Sequence, residues 1–254
     1  MNIGILGAGH MGSAIIRGLA NKYDVNNIFV KGHHVNERLL NFQKEIGFQI
    51  SKNDDLSNLD VLFITTPAAI TINILDSVKL KPSTIIISAA QGVSPDSLKE
   101  VFPDNSVVAI VPNIPVAVNA GCIAMAKSDT ATEKDQETAD SILKSLGTLV
   151  PVAEKDLGIV GTVAGCGPAF VDVFLSALSD AAVQNGLDRE TSYEVASSMV
   201  FGSAKLALDT KTNPAILKDQ VTSPGGSTIK GVVALDQNGF RNAVNQAVNK
   251  ANGS

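Results

Sequence analysis

The sequence predicts an α/β N-terminal half built on a parallel sheet, followed by an all-helical half that dimerises. Short β-branched runs alternate with helical stretches through residue 153. The first of these runs leads straight into Gly7-Ala8-Gly9-His10-Met11-Gly12. From about Glu154 the strands stop, and small residues such as Ala177, Ala181, Ala196, Gly202 and Ala204 allow close helix packing. The expected domains are therefore 1–153 and 154–254.

In order, the expected strands are Asn2–Leu6, Ile28–Lys31, Val61–Thr65, Thr84–Ser88, Val107–Val111 and Cys122–Ala126. Helices are expected between them at Met11–Ala20, Asn36–Ile46, Ala68–Val78 and Glu133–Leu146. This alternation is that of βαβ units. Runs such as Thr84-Ile85-Ile86-Ile87-Ser88 are almost continuously apolar, which suits strands covered on both faces. In the second half, helices are expected over Ile159–Asn185, Arg189–Asp209, Pro214–Gln220, Thr228–Leu235 and Asn238–Asn252. Along the last of these, Phe240, Ala243, Val244, Ala247, Val248 and Ala251 recur at helical spacing and form one apolar stripe. The apolar stretch Val163–Val183 is interrupted by Pro168, Asp172 and Asp180, and reads as a buried helix rather than a membrane span.

The chain has 254 residues, 44% hydrophobic and 18% charged, with a net charge of -5. Its mean hydropathy of +0.18 points to apolar surface buried between subunits. A pI near 5.2 and the lack of dense Lys/Arg runs argue against a nucleic-acid face or a membrane-surface helix. Cys122 and Cys166 show no CxxC spacing, so no metal is expected. They read as buried thiols of a cytoplasmic protein, and the N-terminus lacks a basic segment followed by an apolar one.

Gly7–Gly12 is G-x-G-x-x-G after a strand and before a helix, the context in which this motif binds a dinucleotide. Gly7 permits the turn, Gly9 lets a pyrophosphate approach, and Gly12 lets helix and strand pack closely. Ala8, His10 and Met11 complete the expected cofactor loop. An NAD site usually carries an acidic residue at the end of the second strand. Here Val30-Lys31-Gly32-His33-His34-Val35-Asn36 has no carboxylate before Glu37. NADPH is therefore expected in preference to NADH, with Lys31, His33, His34 and Arg38 available to a 2′-phosphate. Loops at strand carboxyl ends should flank the nicotinamide. They contain Thr65, Thr66 and Pro67, then Ala90 and Gly92, then Asn113.

No Ser-His-Asp set or HExxH is present, and all three histidines lie in the cofactor half. Enzymes resembling β-hydroxyacid dehydrogenases carry a lysine at the place held here by Val171. That absence argues against a hydroxyacid substrate. A protonated imine is already electrophilic and needs mainly positioning against a hydride. The turn Ser223-Pro224-Gly225-Gly226-Ser227-Thr228 opens a helix with N–H groups and hydroxyls suited to a carboxylate. Thr228 Oγ can bond an imine nitrogen.

On these residues the chain resembles pyrroline-5-carboxylate reductases. The resemblance spans essentially the whole length. It rests on Gly7–Gly12, Ala89-Ala90-Gln91-Gly92-Val93, Pro112-Asn113-Ile114-Pro115 and Gly165-Cys166-Gly167-Pro168-Ala169-Phe170. Most specific is Leu217-Lys218-Asp219-Gln220-Val221-Thr222-Ser223-Pro224-Gly225-Gly226-Ser227-Thr228-Ile229. It implies a Rossmann-like domain, an interlocked helical dimer, and NAD(P)H-dependent reduction of 1-pyrroline-5-carboxylate to L-proline. It further implies that Ser223, Gly225, Gly226, Ser227 and Thr228 bind the substrate in the partner's active site, with Thr228 assisting at the nitrogen. The chain departs from the family at Thr66, where a lysine is usual, at Ala109 and Ile114, which replace an arginine and a threonine, and at Ser176. A reductase of another cyclic imino acid and a non-catalytic NADP-binding relative remain alternatives.

Overall fold

The computed structural model describes residues 1–32, 34–51, 53–126 and 130–253. Contacts group the chain into two units, Met1–Gly165 and Cys166–Ser254. Residues 154–165 thus go with the first unit.

In the first unit, strands β1 (Ile3–Leu6), β2 (Ile28–Lys31), β3 (Gln49–Ile50), β4 (Val61–Ile64), β5 (Ile85–Ser88), β6 (Val107–Val111), β7 (Gly121–Ala126) and β8 (Gly147–Val152) form one sheet. Their order is β3-β2-β1-β4-β5-β6-β7-β8. β1 lies between β2 and β4, in parallel register with Ile28 and Val61 opposite Ile3. The helices of this unit are α1 (His10–Ala20), α2 (Glu37–Ile46), α3 (Ala68–Leu75), α4 (Pro95–Val101), α5 (Glu133–Leu146) and α6 (Leu157–Val160). Strand order reverses beside β1, so the ends of β1 and β4 face the crevice where ligands bind in doubly wound sheets.

The sheet departs from all-parallel at one place: β7 runs antiparallel to β6, with Met125 opposite Ile110. Only the 3₁₀ turn Ile114–Val118 lies between them, too little chain for a parallel crossover. Two elements absent from the sequence reading flank the sheet, β3 and β8. β3 is two residues long, and β8 carries Pro151, which is tolerated because β8 is an edge strand. Helix α4 was also absent from that reading; Ser94 caps it, accepting from Ser97 N at 3.1 Å.

Both faces of the sheet are covered. Ile3, Ile5, Val61 and Phe63 pack with Ile15, Ile16 and Leu19 of α1 on one face. Leu6, Leu62 and Ile64 pack with Leu75 and Leu98 on the other. α1 lies so close to its neighbours that a Cβ at Gly18 would come within 2.2 Å of Val116 O.

The second unit consists of α7 (Gly167–Gln184), α8 (Arg189–Thr210), α9 (Pro214–Gln220), α10 (Ser227–Gln237) and α11 (Phe240–Ala251). A π-helical turn, Gly161–Cys166, precedes α7. α7 and α8 pack together through a buried Ser179–Ser192 hydroxyl pair at 2.7 Å, to which Arg189 donates. Gly239, with φ +74°, separates α10 from α11.

The expectation of a buried helix at Val163–Val183 is corrected. Within one chain this stretch is exposed or half-buried throughout apart from Ser179, the buried residue of α7. The run Glu154–Gln184 is, by length and composition, long and apolar enough to cross a membrane, but Pro168, Asp172 and Asp180 interrupt it. Val173 within it is exposed, as are Phe201, Leu208 and Val221 elsewhere in the unit. Along the α11 stripe Phe240, Ala243, Val244 and Ala251 are exposed and Ala247 and Val248 half-buried, and the Phe240 ring lies 5.8 Å from that of Phe174. Apolar exposure on this scale marks a face that another surface covers.

Candidate active site

A cavity of about 670 Å³ opens at the carboxyl ends of β1, β2 and β4. Its floor is Gly7, Ala8, Gly9, His10 and Met11. Gly7 takes φ +102°, a backbone conformation that suits glycine, while its N–H donates to Lys31 O at 2.9 Å. Gly9 precedes α1 without a side-chain cap, which leaves the first-turn N–H groups for a ligand. A Cβ built on Gly9 meets nothing within 4 Å, so that position faces open space. Gly12 sits beneath the loop rather than in the cavity, and a Cβ there would lie 1.9 Å from Gly7 O. The loop thus has the three glycine roles that its spacing predicts, in a cavity of dinucleotide size.

Thr65, Thr66 and Pro67 form one wall with Ile70 and Ile74 of α3. Both threonines are committed to holding that wall. Thr65 Oγ1 donates to Gly7 O at 2.6 Å and so ties β4 to the glycine loop. Thr66 is buried, with its Oγ1 2.8 Å from Thr71 Oγ1. Phe42 also lines the cavity, and the Arg17 guanidinium lies 4.9 Å from its ring centroid. Arg17 in turn pairs with Glu45 at 2.6 Å and holds that carboxyl below its ordinary range.

The far end of the cavity contains Lys31, His34, Arg38 and Asp54. His33 lies outside the described residues. Asp54 was missed in the sequence reading. It is remote from Lys31 in the chain and reaches it because β3 pairs beside β2.

Ala90, Gly92 and Asn113 do not line this cavity. Ala90 is buried, and Gly92 turns the chain with φ +83°. The Asn113 side chain accepts from Cys122 N at 2.9 Å and donates to Ala164 O at 3.0 Å. It fastens the π-helical turn to the sheet. The two thiols, expected to be buried, are half-buried, and burial raises the Cys122 pKa.

In the second unit, the turn after α9 brings Ser223 to Thr228 together. Gly225 has φ +72°, and Gly226 N donates to Ser223 O at 3.1 Å. A Cβ on Gly226 would lie 2.5 Å from Ser223 Oγ, which explains the second glycine. α10 starts without a side-chain cap. The hydroxyls of Ser223, Ser227 and Thr228 have no partner among the described residues. The uncapped first-turn N–H groups and the exposed hydroxyls of Ser223, Ser227 and Thr228 thus lie within one short segment, equipment of the kind that holds a carboxylate.

A family model described as pyrroline-5-carboxylate reductase dimerisation matches residues 154–253. One described as NADP oxidoreductase, coenzyme F420-dependent, matches residues 2–92. The pyrroline-5-carboxylate reductase of Escherichia coli (strain K12) is 34% identical over 254 residues, covering 98% of this chain and 94% of that protein. This chain belongs to the pyrroline-5-carboxylate reductase family. The reductase of Pisum sativum is 32% identical, with 97% and 92% covered. Among solved structures, Plasmodium falciparum pyrroline carboxylate reductase with NADP bound matches with a TM-score of 0.82 at 28% identity. It covers 100% of this chain and 96% of that one. The Coxiella burnetii reductase matches with a TM-score of 0.83 at 27% identity, covering 99% and 96%. Against the family pattern, Thr66 replaces a lysine with an inward-facing hydroxyl, and Ala109 lies within β6 opposite Ser88.

Proposed function

We propose that this protein reduces 1-pyrroline-5-carboxylate to L-proline with NAD(P)H, the last step of proline biosynthesis. One observation carries the reading: a glycine-loop dinucleotide cavity and an uncapped, hydroxyl-bearing turn occur in one chain of this family. Residues 1–153 hold the cofactor, and residues 154–254 hold the substrate and form the dimer. The exposed apolar helices of the second unit are the faces that pair. The protein works in the cytoplasm.

When bound, the reduced nicotinamide supplies a hydride to the carbon of the protonated C=N group. Gly7, Ala8, Gly9, His10 and Met11 cradle the pyrophosphate, with Gly12 keeping α1 close beneath it. Thr65, Thr66 and Pro67 shape the wall of the cavity. Ser223, Gly225, Gly226 and Ser227 hold the substrate carboxylate, which fixes the ring against the hydride donor. Thr228 Oγ accepts from the iminium N–H and keeps its bond to the nitrogen as that becomes an amine. The substrate enters protonated, so the nitrogen needs no second proton from the protein. A free amine results when the bond to carbon forms. The turn of one protomer serves the cavity of its partner.

A steady-state assay following NADPH loss tests this reading. Turnover with pyrroline-5-carboxylate is expected to exceed that with pyrroline-2-carboxylate or a six-membered imine. No turnover of any of the three by a folded dimer would defeat it.

A further inference from the structure

The far end of the cavity carries a charge balance that the β2 sequence alone does not show. Lys31 closes β2, and its Nζ lies 2.7 Å from Asp54 Oδ1. The same ammonium donates to Asn53 O at 3.2 Å. The Lys31 side chain is 16% exposed and that of Asp54 49%. Asp54 is held there by its own backbone: Lys79 N donates to Asp54 O at 2.9 Å, beside the Asp55–Lys79 bridge. Arg38 lines the same end and has no carboxylate partner among the described residues.

In a doubly wound sheet the adenosine ribose sits at the end of the second strand. A carboxylate there bonds a ribose 2′-hydroxyl and repels a 2′-phosphate. Lys31 alone would attract that phosphate, but Asp54 already pairs with it. We infer that Asp54 limits this chain's preference for a 2′-phosphorylated cofactor, by holding Lys31 in an ion pair and presenting its own carboxylate to the ribose. Arg38 is then the cation left for the phosphate. The inference rests on the cofactor reading of the cavity given above.

Binding, rather than turnover, tests it. Dissociation constants for NADPH and NADH are measured by calorimetry on the full chain and on Asp54→Asn and Asp54→Asn/Lys31→Met variants. Asp54→Asn should raise the NADPH-to-NADH affinity ratio about tenfold, the scale of one charge-assisted contact. Adding Lys31→Met should remove most of that gain, and raised salt should shrink it. The Asp54 carboxylate is half-exposed, so unchanged melting would show that Asp54→Asn folds. An unchanged ratio, with both cofactors still bound, overturns the inference and leaves the function untouched. If the wild-type chain binds neither cofactor, the cavity reading falls and this one with it.

Discussion

Thr228→Ala should lower kcat roughly 100-fold while leaving NADPH affinity nearly unchanged, the size expected when the reacting C=N group loses its fixed placement against the hydride donor. Thr228 is exposed in the first turn of α10, and its hydroxyl has no partner among the described residues. Removing it therefore disturbs no internal hydrogen bond, and melting should hold. The effect should fall on kcat more than on KM, because the carboxylate is held by neighbouring groups. Thr228→Ser keeps the oxygen and should recover most of the loss. Steady-state kinetics of the two variants on pyrroline-5-carboxylate decide the matter. An unaltered kcat in Thr228→Ala would remove this residue from the chemistry.

Gly12→Ala should have the opposite signature, weakening the cofactor and leaving the turn intact. The new methyl would lie 1.9 Å from Gly7 O and 2.7 Å from Thr65 Oγ1. The nearer of these atoms belongs to the backbone, so a rotamer change cannot relieve the contact. Overpacking of this kind costs roughly 1–3 kcal/mol. Here it would open the glycine loop away from β4, where Thr65 Oγ1 holds Gly7 O at 2.6 Å. Cofactor affinity should fall about 10- to 100-fold, with a lower melting temperature. Titration of NADPH into the variant measures this. Wild-type affinity would show that the close approach of α1 does not shape the cradle.

These two positions were legible in the sequence for different reasons. Gly12 was fixed by local spacing, because a strand, three glycines and a helix leave the loop few conformations. Thr228 followed from its hydroxyl at the start of a helix, and from the lack of a lysine at Val171. The central strands could be read because burial on both faces makes them continuous apolar runs, as at Ile85–Ser88. β3 and β8 could not: one is too short for a period, and the other contains Pro151. The burial of α7 was misjudged because an apolar helix looks the same whether its own chain or another covers it. Asp54 was out of reach because its place beside Lys31 comes from strand pairing. The bonds of the Asn113 side chain to Cys122 and Ala164 were out of reach as well, because they come from the folding of the turn onto the sheet.

Mixing the two variants tests most directly whether the glycine-loop cavity and the Ser223–Thr228 turn form one active site shared between protomers. A Gly12→Ala protomer has a damaged cavity and an intact turn; a Thr228→Ala protomer has the reverse. In a mixed dimer, crossed sites place the intact turn against the intact cavity once. Separately tagged variants, dissociated, reassociated and purified as mixed dimers, should then recover clear turnover of pyrroline-5-carboxylate, well above either parent. Mixed dimers no more active than the parents would contradict the shared site and place each turn with its own chain's cavity.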